Sequence, residues 1–85
     1  MRTIKYKITD ELGIHARPAG KLVKEASDYK CKIEVGTPAK MVDARRIMGV
    51  MGLAVKKGSE LTMTFSGEDE LKASVAMENF LKANL

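Results

Sequence analysis

Three short stretches alternate apolar with polar residues, and that alternation limits what this chain can fold into. Ile4, Tyr6 and Ile8 alternate with Thr3, Lys5 and Lys7. Cys31, Ile33 and Val35 alternate with Lys30, Lys32 and Glu34, and Leu61, Met63 and Phe65 alternate with Thr62, Thr64 and Ser66. Lys40 to Asp43 is a shorter stretch that reads as a further strand. Successive strand side chains point to opposite faces, so each segment predicts a strand with one buried and one wet face. In chain order these are β1 (3–8), β2 (30–35), β3 (40–43) and β4 (61–66). Gly36-Thr37-Pro38-Ala39 separates β2 from β3 and predicts a hairpin. Pro38 forbids positive φ at its own position, so it cannot hold the first central place of a type I′ turn.

Two segments run on the helical period instead. Ala19, Leu22, Val23 and Ala26 follow i, i+3, i+4, i+7 and predict α1 over Ala16 to Ser27. Arg17, Lys21 and Lys24 share its opposite face, the ordinary pattern of a solvated surface. Near the C-terminus Ala73, Ala76, Met77, Phe80 and Leu81 predict α3. Ser66 or Gly67 is placed to cap it, with Glu68, Asp69 and Glu70 as first-turn acids. A short helix, α2, is expected within Arg45–Val55. Strands with one wet face and helices that need the other face give an α+β open-faced sandwich. One four-stranded antiparallel sheet carries three helices on one face. The absence of repeats, linkers and low-complexity segments predicts one domain over residues 1–85.

Between β1 and α1 lies Gly13-Ile14-His15-Ala16-Arg17-Pro18-Ala19, with the only histidine of the chain. Pro18 suits the first turn of a helix, where backbone N–H groups lack intrahelical partners. His15 therefore falls at or beside the N-cap. The backbone N–H groups of Ala16 and Arg17 and the positive end of the helix dipole favour an anion there and disfavour an imidazolium. Arg17 adds a guanidinium fork that matches phosphate oxygens. A neutral imidazole beside an anion site is a group fit to accept and release phosphate. The plainer alternative is a surface histidine that serves only as a polar cap.

Other readings are narrowed by composition. The net charge of +4 suits acidic partners of any class. Two Phe, two Tyr and no Trp leave little for stacking bases. Cys31 is alone, which excludes an intrachain disulfide and a cysteine-paired zinc site, and its alternation predicts a buried strand thiol. No metal or other cofactor is implied. No apolar run reaches the length of a membrane span, and the first residues alternate rather than form a signal segment, so a cytoplasmic location is expected.

The stretch Ile47-Met48-Gly49-Val50-Met51-Gly52-Leu53 leaves two readings open. Its apolar side chains either fill the core or present adaptable methionines to partners. Gly49-Val50-Met51-Gly52 also fits the bare G-x-x-G with which KH domains clamp RNA, although apolar Val50 and Met51 serve a phosphate backbone poorly. A small basic RNA-binding module is thus the alternative function.

Gly-Ile-His-Ala-Arg-Pro-Ala at 13–19 and Ile-Met-Gly-Val-Met-Gly-Leu at 47–53 together resemble the two signatures of HPr, the histidine-containing phosphocarrier family of the bacterial phosphoenolpyruvate-dependent sugar phosphotransferase system. The length, the element order and the Lys57-Gly58 turn agree. The resemblance implies the sheet order β1-β4-β2-β3 and a monomer that is a carrier, not an autonomous catalyst. It implies that His15 takes a phosphoryl group on Nδ1 from phosphorylated enzyme I, with help from Arg17, and passes it to sugar-specific IIA domains. It also implies a docking patch of Ile47, Met48 and Met51 bordered by Gly20 and Lys24. Three features depart from the pattern. Arg46 stands where many members carry a regulatory serine, so no acceptor hydroxyl is present there. Gly20 replaces the usual Ala or Thr, and Pro38-Ala39 replaces Asn-Gly. Asp43 offers a cap that would start α2 earlier than is usual.

Overall fold

A computed structural model describes residues 1–85. Its elements are β1 Arg2–Lys7, α1 Ala16–Ala26, β2 Lys32–Thr37, β3 Lys40–Asp43, α2 Ile47–Met51, β4 Glu60–Ser66 and α3 Glu70–Asn84. All strand pairs are antiparallel and the sheet order is β1-β4-β2-β3. β4 is central because its register sets both Ile4 and Val35 opposite Met63, and Ile33 opposite Phe65. Ile33, Val35, Leu61, Met63 and Phe65 are fully buried under the helices, where Ala19, Leu22, Ala26, Met77 and Leu81 meet them. Thr62 and Thr64 lie on the other face and are only partly covered. The alternation therefore does what a half-buried sheet requires.

Polar contacts shift several element ends from the places the periodicity suggests. β2 starts at Lys32 rather than Lys30, because the backbone N–H groups of Lys30 and Cys31 donate to the Asp69 carboxylate at 2.8 and 2.9 Å. Its other end runs through Gly36 to Thr37, since a two-residue turn at Pro38-Ala39 lets Thr37 pair with Lys40. Neither turn residue has positive φ, so the turn is not type I′. Gly36 accommodates the tight return: a Cβ there would sit 2.0 Å from the Lys40 carbonyl oxygen. α1 stops one residue early, with Ser27 as its C-cap and the Ser27 hydroxyl donating to the Val23 carbonyl.

The expected caps of the other helices need correction. Ser66 remains in β4, paired with Lys32, and Gly67 donates its N–H to Glu70 Oε1. α3 thus begins after Asp69, and only Glu70 lies in its first turn. α2 does not start early either. Asp43 Oδ1 accepts the Arg45 N–H at 2.9 Å and closes a turn, after which Arg46 is the N-cap. The helix lasts five residues, ends at Gly52, and is followed by Ala54 at φ 53.

Candidate functional site

The connection from β1 to α1 is held from two sides. The Leu85 carbonyl oxygen accepts the backbone N–H groups of Thr9 and Asp10, at 2.7 and 2.9 Å, and the Thr9 hydroxyl at 2.8 Å. The Ile14 N–H donates to the Val55 carbonyl at 3.0 Å, and Ile14 is buried. Gly13 makes that approach possible. Its φ is +66, and a Cβ would lie 2.2 Å from Val55 O. Lys57 Nζ pairs with Glu11 Oε1 at 2.6 Å across the same two segments.

This support sets His15 at the N-cap of α1, with extended backbone at φ −110 and ψ −175. The His15 carbonyl accepts the Ala19 N–H at 3.0 Å, but its imidazole makes no capping hydrogen bond. The N–H groups of Ala16 and Arg17 precede the first intrahelical bond and meet no capping side chain. Pro18, in the same turn, is buried and has no N–H to satisfy. Arg17 is exposed, so its guanidinium is free to meet a ligand. His15, Arg17 and Pro18 line a shallow cavity of roughly 190 Å³ with Asp10, Lys21 and Asn84. Asp10 Oδ1 lies 3.8 Å from His15 Nε2.

The structure thus brings His15, Ala16 and Arg17 together, as the motif suggests. It adds Asp10 and Asn84, which sequence reasoning missed. Asn84 comes from the end of α3 and has no local signal. Asp10 lies close in sequence, but its relation to the ring depends on the fold of the intervening turn.

The short helix α2 divides its apolar residues. Val50 is fully buried, while Ile47, Met48 and Met51 are 41%, 77% and 38% exposed. Ile47 Cδ1 lies 3.8 Å from where a Cβ on Gly20 would be, so α2 borders α1 at that glycine. Lys24 is exposed on α1. Arg46 is exposed too, and its Nε is 4.0 Å from Asp43 Oδ2. The G-x-x-G segment is not an open clamp. The N–H groups of Val50, Gly52 and Leu53 donate to Arg46, Met48 and Val50 carbonyls, and Gly49 packs toward Val42.

At the opposite end of the sheet, where β2 begins and β4 ends, a second polar cluster is closed on itself. Asp69 accepts the Lys30 and Cys31 N–H groups, while Arg45 donates to the carbonyls of Tyr29 and Cys31. The Lys30 N–H, with lesser help from Cys31, holds the Asp69 carboxyl down at about 2. Burial, reinforced by Asp69, pushes the Cys31 thiol up to about 11, so it is an inert core thiol.

An imidazole presented at an uncapped helix start, beside an arginine on a small α+β sandwich, fits a class: small proteins that bind and hand on an anionic group. Comparison with known proteins agrees. The family described as PTS HPr component phosphorylation site matches residues 2–83. The phosphocarrier protein HPr of Lysinibacillus sphaericus is 46% identical over 81 residues, which is 95% of this chain and 92% of that protein. The histidine-containing phosphocarrier protein of Mycoplasma superposes with a TM-score of 0.92 at 35% identity, covering 96% of this chain and 93% of the other. Crh of Bacillus subtilis, a domain-swapped intertwined dimer, gives 0.78 at 33% identity, covering 100% and 98%. The chain belongs to the HPr family and is a phosphoryl carrier of the phosphotransferase system. Neither the fold nor these relatives support the RNA-binding alternative.

Proposed function

We propose that His15 is the phosphoryl acceptor, through Nδ1, taking its group from phosphorylated enzyme I and delivering it to sugar-specific IIA domains. The observation that carries this reading is the uncapped start of α1 at the only histidine. The Nδ1 lone pair attacks phosphorus, the N–P bond forms, and the bond to the donor breaks. The transferred oxygens meet the Ala16 and Arg17 N–H groups and the Arg17 guanidinium. These donors interact more strongly with the transferring phosphoryl group than with the free ring.

In this reading residues 1–85 act as one carrier domain, as a monomer in the cytoplasm, and not as an autonomous catalyst. No helix is long and apolar enough to cross a membrane. Partners dock on Ile47, Met48 and Met51, with Gly20 leaving room beside Ile47 and Lys24 adding charge. Arg46 offers no hydroxyl for a serine kinase. The test is incubation with phosphoenolpyruvate, magnesium and enzyme I, followed by intact-mass measurement. One phosphoryl group is expected, labile in acid and stable in alkali, and absent from His15→Ala. Full labelling of His15→Ala would overturn the assignment, and sedimentation at working concentration checks the monomer.

A further inference from the structure

We infer that Asp10 is a positioning residue for His15, keeping the ring proton on Nε2 and the lone pair on Nδ1. The inference rests on the His15 reading above and deepens it. Asp10 Oδ1 stands 3.8 Å from His15 Nε2, beyond a hydrogen bond at rest but close enough to favour an N–H on that nitrogen over a lone pair.

Its place is set by other bonds. The backbone N–H of Asp10 donates to the Leu85 carbonyl, its carbonyl accepts the Gly13 N–H, and its Oδ1 accepts the Leu12 N–H at 2.8 Å. The carboxylate is thus fixed without help from the ring it faces. The neighbouring carboxylate, Glu11, is tied to Lys57. The other polar groups around the cavity are Arg17 and Lys21 from α1 and Asn84 from α3. Asp10 is the only side-chain anion among them, next to the Leu85 oxygen that accepts its N–H, and it faces the ring nitrogen opposite the proposed reacting one.

This placement matters in both directions of transfer. With the proton on Nε2, Nδ1 is free to attack. When the N–P bond has formed, the ring bears positive charge with its proton still on Nε2, and Asp10 offsets that charge. On delivery the N–P bond breaks, its electron pair returns to Nδ1, and the neutral Nε2–H tautomer is regained. No proton has to leave or enter the site. A phosphoimidazole that retains its ring proton is also the better leaving group.

The test is Asp10→Asn, which removes the charge and keeps an oxygen acceptor for the Leu12 N–H. Two readouts are taken. In the unphosphorylated protein, ¹⁵N shifts of the His15 ring report the tautomer. The variant should raise the Nδ1–H fraction by about twofold or more. In the phosphorylated protein, delivery to a IIA domain should slow about 3- to 30-fold, with the alkaline limb of the pH profile moved to lower pH. A merely structural role would not move that limb. Unchanged tautomer and pH profile, or faster delivery, would overturn the role of Asp10 while leaving His15 labelling intact. Failure to label the wild-type chain would instead strike the reading of His15, and the tautomer measurement would still judge Asp10.

Discussion

The start of α1 and the start of α3 share one feature, an N-cap side chain that does not cap its helix, and put it to opposite uses. Neither His15 nor Asp69 caps its own helix with its side chain. At α3 the Asp69 carboxylate turns to the Lys30 and Cys31 N–H groups, and Arg45 takes the carbonyls on the same loop. Donors and acceptors are matched within the chain, so the cluster is structural. At α1 the donors of Ala16 and Arg17 are left facing solvent beside an imidazole. What separates a site from a clamp here is whether the protein supplies its own anion. Lys30 and Cys31 receive one from Asp69, whereas in the proposed reading the N–H groups of Ala16 and Arg17 receive theirs with the partner.

Arg17→Ala bears on that contrast with the largest expected effect. Phosphoryl transfer should slow by one to three orders of magnitude, roughly 1.4–4 kcal/mol of barrier, with the thermal midpoint little changed. Stopped-flow transfer rates at limiting carrier check this. An unchanged rate would remove Arg17 from the site, and a collapse of the fold would make α1 a clamp like α3.

Met48→Asp comes next. At 77% exposure its side chain contributes little to the core, so the variant should stay folded while productive association with enzyme I weakens by roughly tenfold or more. Titration of the transfer rate against carrier concentration measures it, and unfolding of the variant would return Met48 to the core.

Asp69→Asn should do the reverse of Arg17→Ala. Transfer should be retained while stability falls. The Asp69 carboxyl titrates lower folded than unfolded, down to about 2. Its contribution is therefore full above the ordinary carboxylate range and is lost as pH falls toward about 2. The thermal midpoints of wild type and variant should differ near neutral pH and converge toward that acid limit. Parallel curves across the whole range would show that the carboxylate charge contributes nothing.

These two polar clusters mark where the sequence stopped being informative. The alternation in β1, β2 and β4 locates strands because each buries one face, and its effect extends over several residues. Element ends are decided by single hydrogen bonds. Nothing near Lys30 announces that Asp69 will take its N–H, and nothing near Thr9 announces the Leu85 carbonyl. His15 and Arg17 were legible because they lie side by side at a local boundary, with Pro18 marking the first turn. Asn84 was not, since only the packing of α3 brings it there. The exposure of Ile47, Met48 and Met51 was undecidable by periodicity, because α2 is apolar nearly all round and only Val50 faces inward.

Gly20→Ala gives the smallest expected effect and separates stability from transfer. A Cβ there would make an ordinary 3.8 Å contact with Ile47. The helix interior should gain roughly 0.5–1 kcal/mol in denaturant unfolding, with transfer rates unchanged. A slower rate without loss of stability would mean that partners need the space beside Ile47.

The most direct measurement is made on the phosphorylated carrier itself. With ¹⁵N in the histidine ring, ³¹P–¹⁵N coupling identifies the atom that holds phosphorus. An anion site at the uncapped start of α1, with Asp10 facing Nε2, predicts one phosphoryl group coupled to Nδ1 of His15. Phosphorus on Nε2, or on any other residue of a chain carrying a single label, would contradict it.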